Sequence, residues 1–239
     1  MKKKLSAVYN KLSYLKKIFL LPGFIKGKPS KGKIFKAAKK ELEKGRAILI
    51  QTDTVIGIAA DATKEGSLAL INSIKKAPPD KPRQIILSSV EDIPKYAKIT
   101  PKLISKLSKL LPGPFTFILD VNPDSPLARD IKKFKKVGIR VPYAPTLLEF
   151  IKFYNKPLVA SSANIVGKQN IIDIKDLEPE IKKHVTIYIP ELKADLKRNF
   201  VRDSNGVYLA SGVIDLTGSR INIIRHHPAN EKALRVLKQ

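Results

Sequence analysis

The chain of 239 residues contains no cysteine and only three histidines. Without cysteine it can form neither a disulfide framework nor a thiolate zinc site, and three histidines leave little from which to build a metal cage. We therefore expect no metal ion bound by protein groups alone. A chain without cysteine also fits a reducing compartment, so we expect the protein in the cytoplasm.

Long apolar runs are also missing. The apolar stretch "IFLLPGFI" near the N-terminus is too short to span a bilayer, follows Lys16 and Lys17, and has no small-residue cleavage site. We therefore expect neither a signal peptide nor a transmembrane segment.

Acidic residues are scarce, and residues 1–40 contain none while carrying thirteen lysines. The whole chain has 46 Lys and Arg against 21 Asp and Glu, which gives a net charge of +25. Such an excess attracts polyanions such as RNA, nucleotides or anionic lipid.

The basic N-terminal segment, residues 1–32, is predicted to be an extension outside the folded domain. Its Leu5, Val8, Leu12 and Leu15 have helical spacing among lysines. This pattern allows a basic amphipathic helix on RNA or on a membrane surface, and a solvated, partly disordered tail is the alternative.

From residue 33 onwards, helical and strand patterns alternate. The helical pattern "KIFKAAKKELEKG" precedes the strand pattern "RAILIQ", and the alternation continues to a closing helix in "PANEKALRVLK". Some connections between strands are too short for helical crossovers, which favours a mixed sheet. Residues 33–239 are therefore predicted to form one α/β domain with an open mixed sheet.

Four polar stretches follow or interrupt the predicted strands: "QTDT" (51–54), "KKAPPDKPR" (75–83), "VGIRVP" (137–142) and "SSAN" (161–164). The histidines lie in "KKHV" and "RHHP", outside these stretches, so we do not expect a catalytic triad or covalent catalysis. Hydroxyls, an amide and cations suit the binding of an anion such as a triphosphate. No stretch matches a Walker loop.

Each stretch also has a purely structural interpretation. "QTDT" can be a polar turn that ends a strand and continues through Gly57, "SSAN" can cap a helix, and the lysines can form a solvated loop. Arg140 is harder to explain in this way. An arginine within an apolar strand should lie on a polar face or pair with an anion.

Taken in order, the motifs resemble those of the YrdC-like family of L-threonylcarbamoyladenylate synthases. "QTDTVIGIAAD" resembles the family's P-T-[DE]-T-V-Y-G-L-G, "IKKAPPDKP" resembles I-K-x-R-P-x-x-K-P, and "PLVASSANIVG" resembles P-[IL]-x-x-[PT]-S-A-N-x-S-G. Further motifs match the family's order and spacing, in "LLPGPFTFIL", "VGIRVPYAP" and "ASGVIDLTGSRINIIR". The resemblance therefore covers about residues 33–225.

The resemblance implies a twisted α/β domain with a basic concave face. It also implies a nucleotidyltransferase that condenses L-threonine, bicarbonate and ATP, with Mg²⁺, to threonylcarbamoyl-AMP and pyrophosphate. A separate threonylcarbamoyl transferase complex would then modify adenosine 37 of tRNA. No protein nucleophile is required, since threonine carbamate can itself attack the α-phosphorus.

The resemblance further implies roles for individual residues. Thr52 and Thr54 would contact threonine, and Arg140 would bind the threonine carboxylate. Lys75 and Lys81 would line the triphosphate as the catalytic cations. The resemblance also implies that the nucleotide contacts Ser162, Asn164, Asn170 and Arg225. Threonine would contact Ser211 and the backbone of Ala160.

This sequence departs from the family pattern at several positions. Ala77 replaces the arginine of K-x-R, Ile56 replaces the tyrosine after T-V, and Ala144 replaces a histidine. Arg83 or Lys76 could supply the missing phosphate contact. These departures, with the high positive charge, leave one alternative open: a catalytically degenerate YrdC-like protein that binds double-stranded RNA or the ribosome.

A carbamoyl transferase of hydrogenase maturation is a third interpretation. That family shares the fold as one module beside cysteine-rich zinc modules, and this chain has no cysteine.

Overall fold

A computed structural model describes residues 30–79, 81–194, 196 and 200–239. The basic helix predicted around Leu5 to Leu15 lies outside the described residues. In the described part of the chain, no helix is both long enough and apolar enough to cross a membrane.

The described ranges form one nine-stranded sheet in the order β7-β1-β2-β6-β3-β5-β4-β8-β9. Three neighbouring pairs are parallel, namely β1 with β7, β3 with β5 and β4 with β8, and the other pairs are antiparallel. The predicted α/β fold with an open mixed sheet is confirmed. The strands are β1 Ala47–Gln51, β2 Ile56–Asp61, β3 Gln84–Ile86, β4 Phe115–Asp120, β5 Lys136–Arg140, β6 Leu158–Ser162, β7 Val185–Ile189, β8 Gly212–Asp215 and β9 Asn222–Arg225.

Helices cover both faces of the sheet. The first helix ends before Gly45, whose φ of 73° lies in the left-handed region that favours glycine after a helix. The helices are α1 Lys31–Glu43, α2 Ser67–Ile74, α3 Ile93–Tyr96, α4 Pro101–Leu107, α5 Arg129–Lys132, α6 Pro145–Tyr154, α7 Pro179–Lys182 and α8 Asn230–Lys238, with a 3₁₀ turn at Ile174–Asp176.

Alternating strand residues enter two separate apolar cores. In β1, Ile48 belongs to one core and Leu49 to the other, as expected when successive side chains point to opposite faces of a sheet. The smaller core includes Phe35 of α1 and Phe150 of α6, whose ring centroids lie 5.3 Å apart. Sheet and helices are thereby packed in layers.

The hairpin of β1 and β2 differs from the sequence prediction. A turn was predicted to run through Gly57, but Gly57 lies inside β2 and pairs with Ile50 and with Ser162. That prediction was wrong, because the glycine at position 57 allows β2 to lie close to β1 and β6. A Cβ at this position would lie 3.1 Å from Cγ1 of Ile50 and 3.2 Å from the Ser161 carbonyl oxygen.

Candidate active site

The polar stretches predicted from the sequence meet around the turn between β1 and β2. "QTDT" forms the turn between β1 and β2, Arg140 is the last residue of β5, and Ser162 is the last residue of β6. Just beyond Ser162, the Ala163 N–H donates to the carbonyl of Ile56, the first residue of β2, at 2.8 Å. The sheet register therefore places the "SSAN" stretch beside the "QTDT" turn.

Arg140 lies in a buried polar cluster at the end of β5. Its Nη2 donates to Asp53 Oδ1 at 2.6 Å and to Thr54 Oγ1 at 2.8 Å. The side chains of Arg140 and Asp53 are only 2% and 1% exposed. The anion expected beside this arginine is thus present within the chain, as the Asp53 carboxylate, a partner that the sequence pattern does not predict.

Thr52 shapes the turn that carries Asp53 and Thr54. Its hydroxyl accepts the backbone N–H groups of Thr54 and Val55, each at 3.2 Å, and donates to the Val55 carbonyl at 2.6 Å. This is the local hydrogen bonding by which threonine replaces the strand ladder in a turn. Thr52 therefore contributes to the site mainly by fixing the turn.

A second set of hydrogen bonds, made by the hydroxyls of Thr116 and Ser211, extends the cluster across the sheet. Thr116 of β4 donates to Gln84 Oε1 of β3 at 2.6 Å and lies 2.9 Å from the hydroxyl of Ser211. Arg225 donates to the Ser211 carbonyl from Nε at 2.7 Å and to its hydroxyl from Nη2 at 3.1 Å. Desolvation of this guanidinium and the nearby Arg140 lower the pKa of Arg225 to about 10. We call the residues Asp53, Thr54, Arg140, Ser211 and Arg225 the arginine cluster.

Lys75 lies in a different polar cluster, at the end of α2. Its Nζ donates to the carbonyls of Ser162 and Asn164 and, at 3.0 Å, to Asn164 Oδ1. The Ser162 hydroxyl donates to the same amide oxygen at 2.5 Å. We call Lys75, Arg83, Ser162 and Asn164 the lysine cluster.

Lys75 is only 3% exposed and its partners are all uncharged oxygens. Burial, followed by the positive charges of Arg83 and Lys81, lowers the pKa of Lys75 to about 7. Among the described residues no carboxylate is bonded to Lys75, so an entering anion could supply negative charge there.

Arg83, which directly precedes β3, is also part of the lysine cluster. Its Nε donates to Asn72 Oδ1 at 2.7 Å and its Nη1 to the Ser161 hydroxyl at 3.1 Å. Its Nη2 is buried and has no hydrogen-bond partner among the described residues. Asn72 in turn donates to the carbonyls of Pro79 and Lys81, which ties this loop to α2.

His227 is a site residue that the sequence analysis missed. Its side chain is 7% exposed, and it lies near enough to Asp53, Arg140 and Arg225 for their charges to affect its pKa. The motif "RHHP" was placed outside the polar stretches because it is distant from them in sequence. The available signal was its position two residues after Arg225.

The remaining predicted residues lie nearby in different settings. Lys81 is exposed, and its charge acts on Lys75. Ala160 is in mid-strand, paired with Ala59 and Gln84, with its side chain in the smaller core. Asn170 donates to the Tyr208 carbonyl at 2.8 Å. The structure does not test their predicted ligand contacts, which stay predictions.

The residues present do not fit a magnesium site made by the protein. Among the described residues, no group of three or more His, Cys, Asp or Glu side chains could hold a metal ion. The one carboxylate of the arginine cluster, Asp53, is already bonded to Arg140 and, through Oδ2, to the Tyr143 N–H at 3.0 Å. Mg²⁺ favours carboxylate, water and phosphate oxygens, so these cation-rich clusters suit the phosphates instead.

Comparison with known proteins identifies the family. The family model Sua5_yciO_yrdC, described as "Telomere recombination", matches residues 40–227. A relative from Methanocaldococcus jannaschii is 33% identical over 157 residues, covering 66% of this chain and 73% of the relative. Threonylcarbamoyl-AMP synthases of Mus musculus and Homo sapiens are 27% and 26% identical over 209 residues, covering 85% of this chain and 70% and 71% of those proteins.

Solved structures agree with this result. Sua5 of P. abyssi complexed with L-threonine matches with a TM-score of 0.68 at 25% identity, over 88% of this chain but only 59% of that chain. YciO of E. coli shares the fold, with a TM-score of 0.67 at 19% identity. Since the family match spans the strands and turns that carry both polar clusters, this chain belongs to the Sua5/YciO/YrdC family.

Proposed function

We propose that the protein is a threonylcarbamoyl-AMP synthase, a nucleotidyltransferase that forms threonylcarbamoyl-AMP and pyrophosphate from L-threonine, bicarbonate and ATP. The observation that carries this proposal is the placement of the arginine and lysine clusters around the β1–β2 turn, where Asp53 binds Arg140 and Ile56 accepts a hydrogen bond from Ala163, next to Ser162. Relatives from mouse and human carry this name, and the P. abyssi structure with L-threonine has the same fold.

The chemistry needs no protein nucleophile. The ammonium group of threonine first loses its proton to solvent. The resulting amine adds to the carbon of bicarbonate, and loss of water leaves threonine carbamate. A carbamate oxygen then attacks the α-phosphorus of ATP, and the bond to the β-phosphate oxygen breaks to release pyrophosphate. The protein has to position the reactants and offset the developing negative charge on the phosphates.

The two clusters suit the two substrates. The arginine cluster combines guanidinium and hydroxyl groups, which bind a carboxylate and a hydroxyl such as those of threonine. The lysine cluster has cations without a carboxylate partner, and it suits the triphosphate. Mg²⁺ would come with ATP rather than from a protein site, and it would offset part of the phosphate charge.

The assay follows from the stoichiometry. The purified chain with ATP, bicarbonate, L-threonine and Mg²⁺ is expected to release pyrophosphate only when threonine is present. L-Serine and L-valine, which lack the methyl group or the hydroxyl group, are matched controls. Pyrophosphate release that does not depend on any amino acid, at high protein concentration, would exclude the synthase.

We also propose that the product is passed to a separate threonylcarbamoyl transferase complex that modifies adenosine 37 of tRNA. A mixture of this protein, such a complex and unmodified tRNA should yield N6-threonylcarbamoyladenosine. Omission of this protein should abolish the product, and synthetic threonylcarbamoyl-AMP should restore it.

Direct RNA binding is a second proposal, favoured by the net charge of +25 and the thirteen lysines of residues 1–40. Neutralisation of phosphates releases counterions, so the affinity for double-stranded RNA should fall steeply as salt increases. Deletion of residues 1–32 should flatten this salt dependence. An affinity that is weak and independent of salt would exclude this contact.

A further inference from the structure

The inner end of the arginine cluster contains polar atoms without partners. Nε of Arg140 and Nε2 of His227 are both buried and lack a hydrogen-bond partner among the described residues. Most buried polar groups in proteins are hydrogen-bonded, because an unpaired one costs roughly 1–3 kcal/mol. Two such donors beside a substrate site indicate a ligand that pairs with them.

The hydrogen bonding of His227 determines which nitrogen carries the proton. The Ala229 N–H donates to Nδ1 of His227 at 3.2 Å. Nδ1 must therefore be unprotonated, and in the neutral imidazole the hydrogen is on Nε2. The free atom of His227 is thus an N–H donor, which matches an oxygen ligand.

Burial favours the neutral imidazole of His227. Burial is the main cause that lowers the pKa of His227, and the positive charges of Arg140 and Arg225 add to it, while Asp53 opposes it. A neutral ring cannot take up the proton of an ammonium group at Nε2, which already bears hydrogen. Its role is therefore hydrogen-bond donation and not general base catalysis.

The base of the His227 side chain also packs beside the arginine cluster. A Cβ on Gly212 would lie 3.2 Å from the His227 Cβ, so the chain beside Ser211 packs directly against this histidine. The neighbouring Ser211 is fully buried and accepts a hydrogen bond from Arg225. The backbone and Cβ of His227 thus lie beside Ser211, and its ring is near enough to Arg140 and Arg225 to be affected by their charges.

We propose that His227 is a substrate-binding residue that donates a hydrogen bond from Nε2 to a carboxylate oxygen of the amino-acid substrate. This proposal rests on the proposed function, which supplies an amino acid to this site. The carboxylate is the anionic oxygen group that threonine brings, and it would satisfy both His227 Nε2 and the free Nε of Arg140. His227 therefore adds a neutral donor to a site that already contains two arginines.

The test compares three variants with three ligands. His227→Phe keeps a ring but removes the donor, and His227→Gln keeps an N–H donor at nearly the same distance from the backbone. His226→Phe changes the exposed neighbouring histidine and is the matched control. Calorimetry measures the affinities for L-threonine, for L-threoninol, which has a hydroxymethyl group in place of the carboxylate, and for ATP.

We expect His227→Phe to weaken L-threonine binding by about 10-fold or more, as for loss of a hydrogen bond to a charged group. The affinities for L-threoninol and ATP should stay within about twofold of those of the unmodified protein, and His227→Gln should recover most of the L-threonine affinity. Equal weakening of L-threonine and L-threoninol, or no weakening of either, would overturn the proposal.

A second measurement does not depend on a variant. In protein with ¹⁵N-labelled histidine, the Nε2 resonance of His227 should shift when L-threonine is added and should not shift with L-threoninol. If the unmodified protein binds threonine and releases pyrophosphate while this resonance is unchanged, only the role of His227 is refuted. If the unmodified protein binds no threonine, the proposed function fails, and this inference fails with it.

Discussion

Arg140 of the arginine cluster and the two cations of the lysine cluster have opposite kinds of partner. Arg140 is paired with the Asp53 carboxylate at 2.6 Å. Lys75 and Arg83 bond to carbonyl, amide and hydroxyl oxygens, and no ion pair in the described part of the chain includes either of them. The pair of Arg140 and Asp53 therefore adds no net charge to the arginine cluster, which has one further cation in Arg225. The lysine cluster has no carboxylate among the described residues, so a polyanion can neutralise its cations.

This difference agrees with the two proposed substrates. Threonine is small and zwitterionic, so its site needs donors and acceptors in fixed positions more than net charge. A triphosphate carries several negative charges, so its site benefits from cations that have no carboxylate partner. Four predictions test whether the two clusters are distinct in this way.

The largest expected effect is on stability, from removal of the carboxylate that pairs with Arg140. Asp53→Ala leaves a buried guanidinium without its anion, and loss of one member of a buried pair typically costs about 3–5 kcal/mol in the free energy of unfolding. Denaturant unfolding measures this change. The double variant Asp53→Ala/Arg140→Met, which removes both charges, should be more stable than Asp53→Ala alone.

Glu43→Ala is the control for this prediction. It breaks the exposed ion pair of Glu43 with Lys39, and it should change the free energy of unfolding by less than about 1 kcal/mol. If Asp53→Ala and Glu43→Ala had equal effects, the buried pair would contribute no more than a surface one.

The next effect separates the clusters by substrate. Arg140→Lys keeps the charge but loses the planar fork, so threonine affinity should fall by about 10-fold or more, with little change for ATP. Ser162→Ala should do the reverse, because it removes a hydroxyl of the lysine cluster. Calorimetric titration of each ligand measures both effects. Parallel losses of both ligands in both variants would show that the clusters are one site.

A third prediction uses the lowered pKa of Lys75. The folded protein loses the Lys75 proton near pH 7, whereas the unfolded chain keeps it to the ordinary value of 10.5. The unfolded state therefore binds more protons in this window, and the contribution of Lys75 makes the free energy of unfolding rise as pH increases from about 7 to about 10. Lys75→Met should reduce this rise relative to the unmodified protein.

Binding of ATP should reverse the shift of Lys75, because phosphate charge favours the protonated amine. ATP binding at pH 8 should therefore take up protons, as measured by calorimetry in buffers of different ionisation enthalpy. Threonine binding in the arginine cluster should show no uptake that depends on Lys75. Equal proton uptake in Lys75→Met would assign it to another group.

The smallest effect concerns the arginine missing from K-x-R. Arg83→Ala should weaken ATP binding by about 5- to 10-fold, if its free Nη2 takes the phosphate contact that Ala77 cannot make. Ala77→Arg in the Arg83→Ala background should restore affinity. Lys76→Asn removes the other candidate cation, and a larger loss there would assign the contact to Lys76.

Several features of the site could be predicted from the sequence. Thr54, Arg140 and Ser162 lie in or directly after recognisable strand patterns. An arginine between apolar strand residues also indicates an unusual environment. The Asp53 partner could not be predicted, since it depends on a contact between residues 87 positions apart. The strand Ile56–Asp61 was missed because both of its faces are buried, so it lacks the alternation of a half-exposed strand.

The sequence by itself determined the composition, the alternation of helices and strands, and the order of the motifs. These are local properties, because side-chain period and turn chemistry act over a few residues. Only the tertiary structure decided that Arg83 joins Lys75 and that His227 joins Arg140. Such pairs arise when the sheet brings distant strand ends together, and packing then sets which polar groups find partners and which, like Nε2 of His227, lack one among the described residues.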